Sequence, residues 1–217
     1  MPLKVLYEDN HLIAVYKPAG ILVQGDKTGE VSLMDEVKYY LKNKYQKPGN
    51  VFLGLLHRLD RQVGGIVLFA KTSKGASRLS EQFREHTVEK VYHALVEGRP
   101  KKDKDTLINY LKKDENKNKV EVFDKEVANS QRAVMDYEVI KSDKNNSLLK
   151  INLKTGRPHQ IRSQLANIGC PIVGDIKYGA SKPWPNQTLA LAATSLTFNL
   201  ATEEKRQNIS VDLPFKL

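Results

Sequence analysis

His57-Arg58-Leu59-Asp60-Arg61-Gln62-Val63-Gly64-Gly65-Ile66-Val67-Leu68-Phe69-Ala70 is a polar loop that passes straight into an apolar run. The run from Ile66 to Ala70 is too short for a helix and rich in β-branched and aromatic residues, so it reads as a buried strand. A carboxylate at the mouth of such a strand, flanked by Arg58 and Arg61, has two readings. One is an ordinary surface ion pair, common and worth little. The other is a functional carboxylate held on a loop by a rigid scaffold.

Upstream, Leu12-Ile13-Ala14-Val15-Tyr16 reads as a strand that ends at Lys17-Pro18-Ala19-Gly20, because proline cannot donate to a ladder and glycine permits a turn. Ser32 to Tyr45 reads as a helix, with Leu33, Val37, Tyr40 and Leu41 on one face and Ser32 and Asp35 spaced for a capping box. Lys47-Pro48-Gly49-Asn50 follows as the stop.

Downstream, Ser73 to His86 is a second amphipathic helix, and Lys90 to Glu97 a strand closed by Gly98-Arg99-Pro100. The lysine- and acid-rich segment 101–125 reads as a hairpin of Thr106–Leu111 and Lys119–Phe123 around a solvated Asp114–Asn118 tip. Strands Ala133–Ile140 and Ser147–Leu153 follow. A third helix then runs from Pro158, suited to a first turn, to Ile168, with Gly169 as its cap. The tail adds a run from Leu189 to Phe198 and a last strand ending in Val211-Asp212-Leu213-Pro214. With no internal repeat or linker, this order predicts one α+β domain over residues 1–217, with a mixed, largely antiparallel sheet.

The totals narrow the function. The chain has 217 residues, of which 40% are hydrophobic, enough for a core, and 35 Lys+Arg against 25 Asp+Glu give a net charge of +10. That excess points to a polyanionic partner, either nucleic acid or an acidic membrane surface. The single Cys170 cannot form an intramolecular disulfide, and no stretch has the apolar length of a membrane span. A cytoplasmic monomer is expected. The five histidines (His11, His57, His86, His93, His159) lack metal-ligand spacing, so no metal is expected. His57 and Arg58 ahead of Asp60 invite comparison with a kinase catalytic loop, but the glycine-rich and Asp-Phe-Gly partners are missing.

In the third helix His159 and Arg162 share a face, while Ile161, Leu165 and Ile168 mark the buried side. Arg162 is then either a solvated helix arginine or a guanidinium turned inward to grip a carboxylate in bidentate fashion. Tyr92 reads as a core or sheet-surface aromatic or as a ligand-stacking one.

Taken together, these stretches resemble the RluA-type family of RNA pseudouridine synthases. Lys17-Pro18-Ala19-Gly20 matches the family's early turn, and His57-Arg58-Leu59-Asp60-Arg61 its catalytic motif. Lys90-Val91-Tyr92-His93-Ala94 matches its Lys-x-Tyr-x-Ala strand. Thr155-Gly156-Arg157-Pro158-His159-Gln160-Ile161-Arg162 and Pro171-Ile172-Val173-Gly174-Asp175 match what comes later.

The resemblance implies the pseudouridine synthase catalytic fold with a central active-site cleft. It also implies an isomerase that converts uridine in structured RNA, ribosomal or transfer, to pseudouridine without a cofactor. On it, Asp60 is the catalytic aspartate, Tyr92 the aromatic that stacks on the target base and Arg162 the salt-bridge partner of Asp60. Arg58 helps displace the target base, and His57, Arg61, Arg157, His159 and Gln160 bind substrate.

Val63-Gly64-Gly65 replaces the family's usual Thr-Ser-Gly, Gln164 stands where a histidine is frequent, and Leu191-Ala192-Ala193 replaces Leu-His-Ala. Only sixteen residues precede Lys17, so no N-terminal RNA-binding module is expected. Two other readings are a catalytically silent RNA-binding protein of the same fold and a glycoside hydrolase pairing Asp60 with Asp175, the latter needing a second carboxylate.

Overall fold

The computed structural model describes residues 2–217, which form two compact units: residues 2–88 with Ser195–Val211, and Glu89–Thr194 with Asp212–Leu217. The chain therefore leaves the first unit after Val88, returns to it at Ser195 and leaves again after Val211.

In the first unit β1 (Lys4–Glu8) pairs β2 (Leu12–Lys17), and β2 pairs β4 (Gly64–Ala70), both antiparallel; the short β3 (Gly54–Leu55) also lies on β4. Every residue of β4 is buried, as its unbroken apolar run requires. The end of β10 (Leu191–Asn199) pairs β11 (Arg206–Ser210). Leu12, Ala14, Ile66, Leu68, Leu79, Leu196, Phe198 and Ile209 form one core cluster, so the tail completes a core that the first strands begin.

Helix α1 (Leu33–Lys44) starts where Ser32 and Asp35 place it. The two residues form the full capping box, and Leu33, Val37 and Leu41 are buried. Helix α2 (Ser73–Arg84) stops two residues before the expected His86, which takes a left-handed φ of 59°.

The second unit is an antiparallel sheet. β5 (Glu89–Glu97), β9 (Asn146–Leu153), β8 (Gln131–Ser142), β6 (Lys104–Asp114) and β7 (Lys119–Phe123) lie side by side, each antiparallel to the next. The expected hairpin is present, with β6 longer than its apolar pattern suggests. Helix α3 (Gln160–Asn167) packs on the face that carries Leu111, Val120 and Ala133.

Two further boundaries differ from expectation. Pro158 is not in the first turn of α3: His159 sits at φ 49°, left-handed, so helical geometry begins only at Gln160. The last strand ends at Ser210 rather than running to Pro214. No helix among the described residues is long and apolar enough to cross a membrane.

Candidate active site

In the first unit, the loop bearing Asp60 is tied down by a buried lysine. Lys17, which ends β2, has no exposed surface, and its Nζ donates to the carbonyls of Pro18 (3.1 Å), Ile21 (2.9 Å) and Arg61 (3.0 Å). The Arg61 carbonyl also accepts from Gly20 N–H at 2.8 Å, and Arg61 Nε returns a bond to the Gly20 carbonyl at 2.9 Å. The Lys17-Pro18-Ala19-Gly20 turn and the Asp60 loop are thus one hydrogen-bonded body. Glycine is required at 65, opposite Lys17, where φ is 130°.

Within that body Asp60 is half-buried, while Leu59 and Val63 on either side are buried. The Asp60 carbonyl accepts from Val63 N–H at 3.0 Å, which closes the turn into β4. Arg61, expected at substrate, holds the Glu30 carboxylate through both Nη atoms at 3.1 and 2.7 Å. His57 also has internal duties: its Nε2 accepts from Leu68 N–H at 3.0 Å, and its ring stacks on Phe83 with centroids 4.9 Å apart. The imidazole takes the ladder position that β3, ending at Leu55, no longer fills. Arg58 is exposed and has no ion pair among the described residues.

Burial pushes the Lys17 amine down to about 7; the Asp60 carboxylate works against that fall and Arg61 adds to it. The folded pKa thus lies below the unfolded one near 10.5. Between these values the unfolded chain keeps a proton that the folded chain gives up, so the Lys17 contribution to stability grows as pH rises through this window and is lost as pH falls towards 7. Urea unfolding of the native protein and of Lys17→Met at neutral and alkaline pH checks this: the difference should widen in favour of the native protein at alkaline pH. A pH-independent difference would remove the effect.

In the second unit the candidate residues gather around α3. Arg162 is 4% exposed and Asp175 1% exposed, and the guanidinium grips the carboxylate through Nε to Oδ2 at 2.7 Å and Nη2 to Oδ1 at 3.0 Å. This is the inward, bidentate alternative for Arg162, with a carboxylate that sequence reasoning had weighed only as a hydrolytic acid. Tyr178 covers the pair, its ring centroid 5.1 Å from Arg162 Cζ. The Tyr178 hydroxyl accepts from Val120 N–H at 2.8 Å and lies 2.9 Å from His159 Nδ1. Gly174 precedes the aspartate at φ 89°, and a Cβ there would collide with Trp184 and the Thr188 carbonyl. That close packing fixes where Asp175 stands.

Gln160 is built in. Its Oε1 accepts from Thr155 Oγ1 (2.8 Å) and Arg157 N–H (3.1 Å), and its Nε2 donates to the Val134 carbonyl (3.1 Å) and Gln164 Oε1 (3.0 Å). Arg157 donates from Nε to the Arg132 carbonyl at 3.1 Å. Tyr92 is a buried residue of β5 in register with Ile151 of β9.

Sequence reasoning missed Lys17, Asp175 and Tyr178 as site builders. The available signal for Asp175 was an acid set in Pro-Ile-Val-Gly-Asp-Ile, since a carboxylate among apolar residues needs an internal cation. Among the described residues no group of three or more His, Cys, Asp or Glu is placed to hold a metal ion.

A family model described as RNA pseudouridylate synthase matches residues 11–167. Ribosomal large subunit pseudouridine synthase D of Zymomonas mobilis is 30% identical over 99% of this chain and 70% of its own length. Ribosomal large subunit pseudouridine synthase C of Rickettsia typhi is 33% identical over 97% of the chain and 68% of its own. Among solved structures, human RNA pseudouridylate synthase domain containing 4 superposes with a TM-score of 0.81 at 25% identity, covering 97% of this chain and 88% of that one.

Proposed function

Because the chain belongs to the RluA-type family of RNA pseudouridine synthases, and is therefore an isomerase acting on RNA, we propose that its substrate is a uridine of ribosomal RNA and that Asp60 is its nucleophile. The observation that carries the reading is the Asp60 loop itself, a half-buried carboxylate on a turn fixed by a fully buried lysine. A nucleophile must be aimed before it reacts, and a loop bonded at its own backbone keeps its aim without help from substrate. Ribosomal RNA is favoured over transfer RNA because the relatives are ribosomal large subunit pseudouridine synthases.

In the proposed reaction the bond between uracil N1 and ribose C1′ breaks, the uracil turns, and a bond from C5 to C1′ forms. The hydrogen on C5 leaves as a proton to water and N1 takes one up, while the bond that Asp60 makes to the substrate early in the reaction breaks before the product leaves. Tyr92 offers an aromatic face to the detached base, and its phenol is suited to moving a proton in the closing steps. Arg162 supplies the fixed cation; a guanidinium has five N–H donors, of which Asp175 takes two. Arg58, exposed and without an ion pair, is suited to entering the RNA stack as the uridine leaves it. Flipping costs a few kcal/mol, which contacts of this kind offset.

Tritium release tests the reading. Purified protein given ribosomal RNA carrying tritium at uridine C5 should release label to water in step with pseudouridine formed. Release from transfer RNA alone would move the substrate, and no release from any cellular RNA would refute the function.

A further inference from the structure

The antiparallel sheet of the second unit has two faces. Leu111, Val120 and Ala133 point to the one packed under Tyr178, so their strand neighbours Tyr110, Phe123, Arg132 and Val134 point to the other. There the register sets Phe123 of β7, Tyr110 of β6 and Arg132 of β8 in one row, with Ile108 opposite Val134 in the next but one. Ile108 is 49% exposed, Arg132 is exposed, and Tyr110, Phe123 and Val134 are only partly covered. Among the described residues the two aromatic rings do not stack on each other, and the Tyr110 hydroxyl has no partner.

Some lysines of this sheet are neutralised: Lys104 sits on Glu138 at 2.7 Å, Lys113 on Glu115 at 2.6 Å and Lys154 on Asp136 at 3.2 Å. Lys112 and Arg132 have no such pair among the described residues, although Glu121 stands across from Lys112. Arg157 joins them, its Nε bonded to the Arg132 carbonyl and no acid on its guanidinium. A partner for two open aromatic faces within a ring of unneutralised cations needs flat apolar surfaces and anionic linkers in alternation. Single-stranded nucleic acid has that chemistry: bases stack on aromatics, phosphates meet Lys and Arg.

We propose that the Tyr110–Phe123 face of the second unit is a docking surface for a single-stranded segment of the RNA substrate, its bases on the two rings and its phosphates at Lys112, Arg132 and Arg157. This rests on the reading that the substrate is RNA and adds where a flanking segment lies.

Binding of a short fluorescein-labelled oligouridylate, read by anisotropy across a salt series, tests it. Tyr110→Leu and Phe123→Leu should each weaken binding about five- to a hundredfold, the range of one lost base stack. Tyr110→Phe and Phe123→Tyr should bind as the native protein does. Arg132→Gln should lower the slope of log affinity against log salt by about 0.7, one phosphate contact on a single strand. Lys104→Ala, already neutralised by Glu138, should change neither.

Unchanged binding by the leucine variants, equal losses in the aromatic-for-aromatic variants, or no binding by the native protein would each overturn the surface. If those variants bind normally while the native protein still releases tritium from ribosomal RNA, only the surface fails. If no RNA releases tritium, it is the function that fails.

Discussion

Asp60→Ala is expected to fold, to keep its affinity for RNA and to release no measurable tritium, a loss of roughly four to six orders of magnitude in kcat, the scale on which removal of one member of a catalytic set is felt. Folding should survive because the loop is held through backbone atoms: Lys17 Nζ bonds the Arg61 carbonyl, and Val63 N–H bonds the Asp60 carbonyl. Neither bond involves the Asp60 carboxylate. Binding should survive because an RNA site is built mostly from cations, and removing one acid does not weaken them. Single-turnover tritium release with enzyme in excess over RNA, beside anisotropy and a melting curve, separates these quantities. Residual release within tenfold of the native rate would remove Asp60 from the chemistry.

Asp175→Ala carries the largest expected cost in stability. Arg162 is almost wholly buried, and its bidentate acceptor would vanish from the interior. Breaking a buried pair from one side costs about 3–5 kcal/mol. Urea unfolding should show that loss. Asp175→Asn, which keeps one oxygen acceptor, should lose less, and the double change Arg162→Met with Asp175→Leu should recover much of the stability, since apolar packing replaces a buried ion pair well. On the role proposed for Arg162, the double variant should nevertheless remain inactive. A single Asp175→Ala loss below about 1 kcal/mol, the level of an exposed pair, would show that Arg162 does not depend on this carboxylate.

What could be read in the sequence was local. Ser32 and Asp35 announce the start of α1 because both halves of a capping box lie within four residues, and the structure has both bonds. The apolar run of β4 and the β6–β7 hairpin were legible for the same reason. Pro158 misled, since a proline suits a first helical turn, yet the left-handed His159 delays α3 to Gln160. Strand β1 escaped notice, its Lys-Val-Leu-Tyr-Glu too short and mixed to show a period.

The site divided similarly. Asp60, Tyr92 and Arg162 stand in recognisable motifs, whereas Lys17 and Asp175 matter through burial, which only the assembled tertiary structure reveals. Gln160 and His57 stand in the same motifs, yet their side chains bond the protein itself.

The threefold passage of the chain between units bears on synthesis at the ribosome. The core around Leu12, Leu68 and Leu79 closes only with Phe198 and Ile209, so a growing chain carries its aspartate loop long before the scaffold behind that loop is complete. Unit two, apart from its last few residues, is continuous in sequence and can gather as it emerges, with local hairpins forming in order. The unit begun first therefore closes its core only after nearly all of the other has been made, and a chain arrested before about residue 209 holds the aspartate on an open, apolar platform, a state exposed to proteolysis and aggregation.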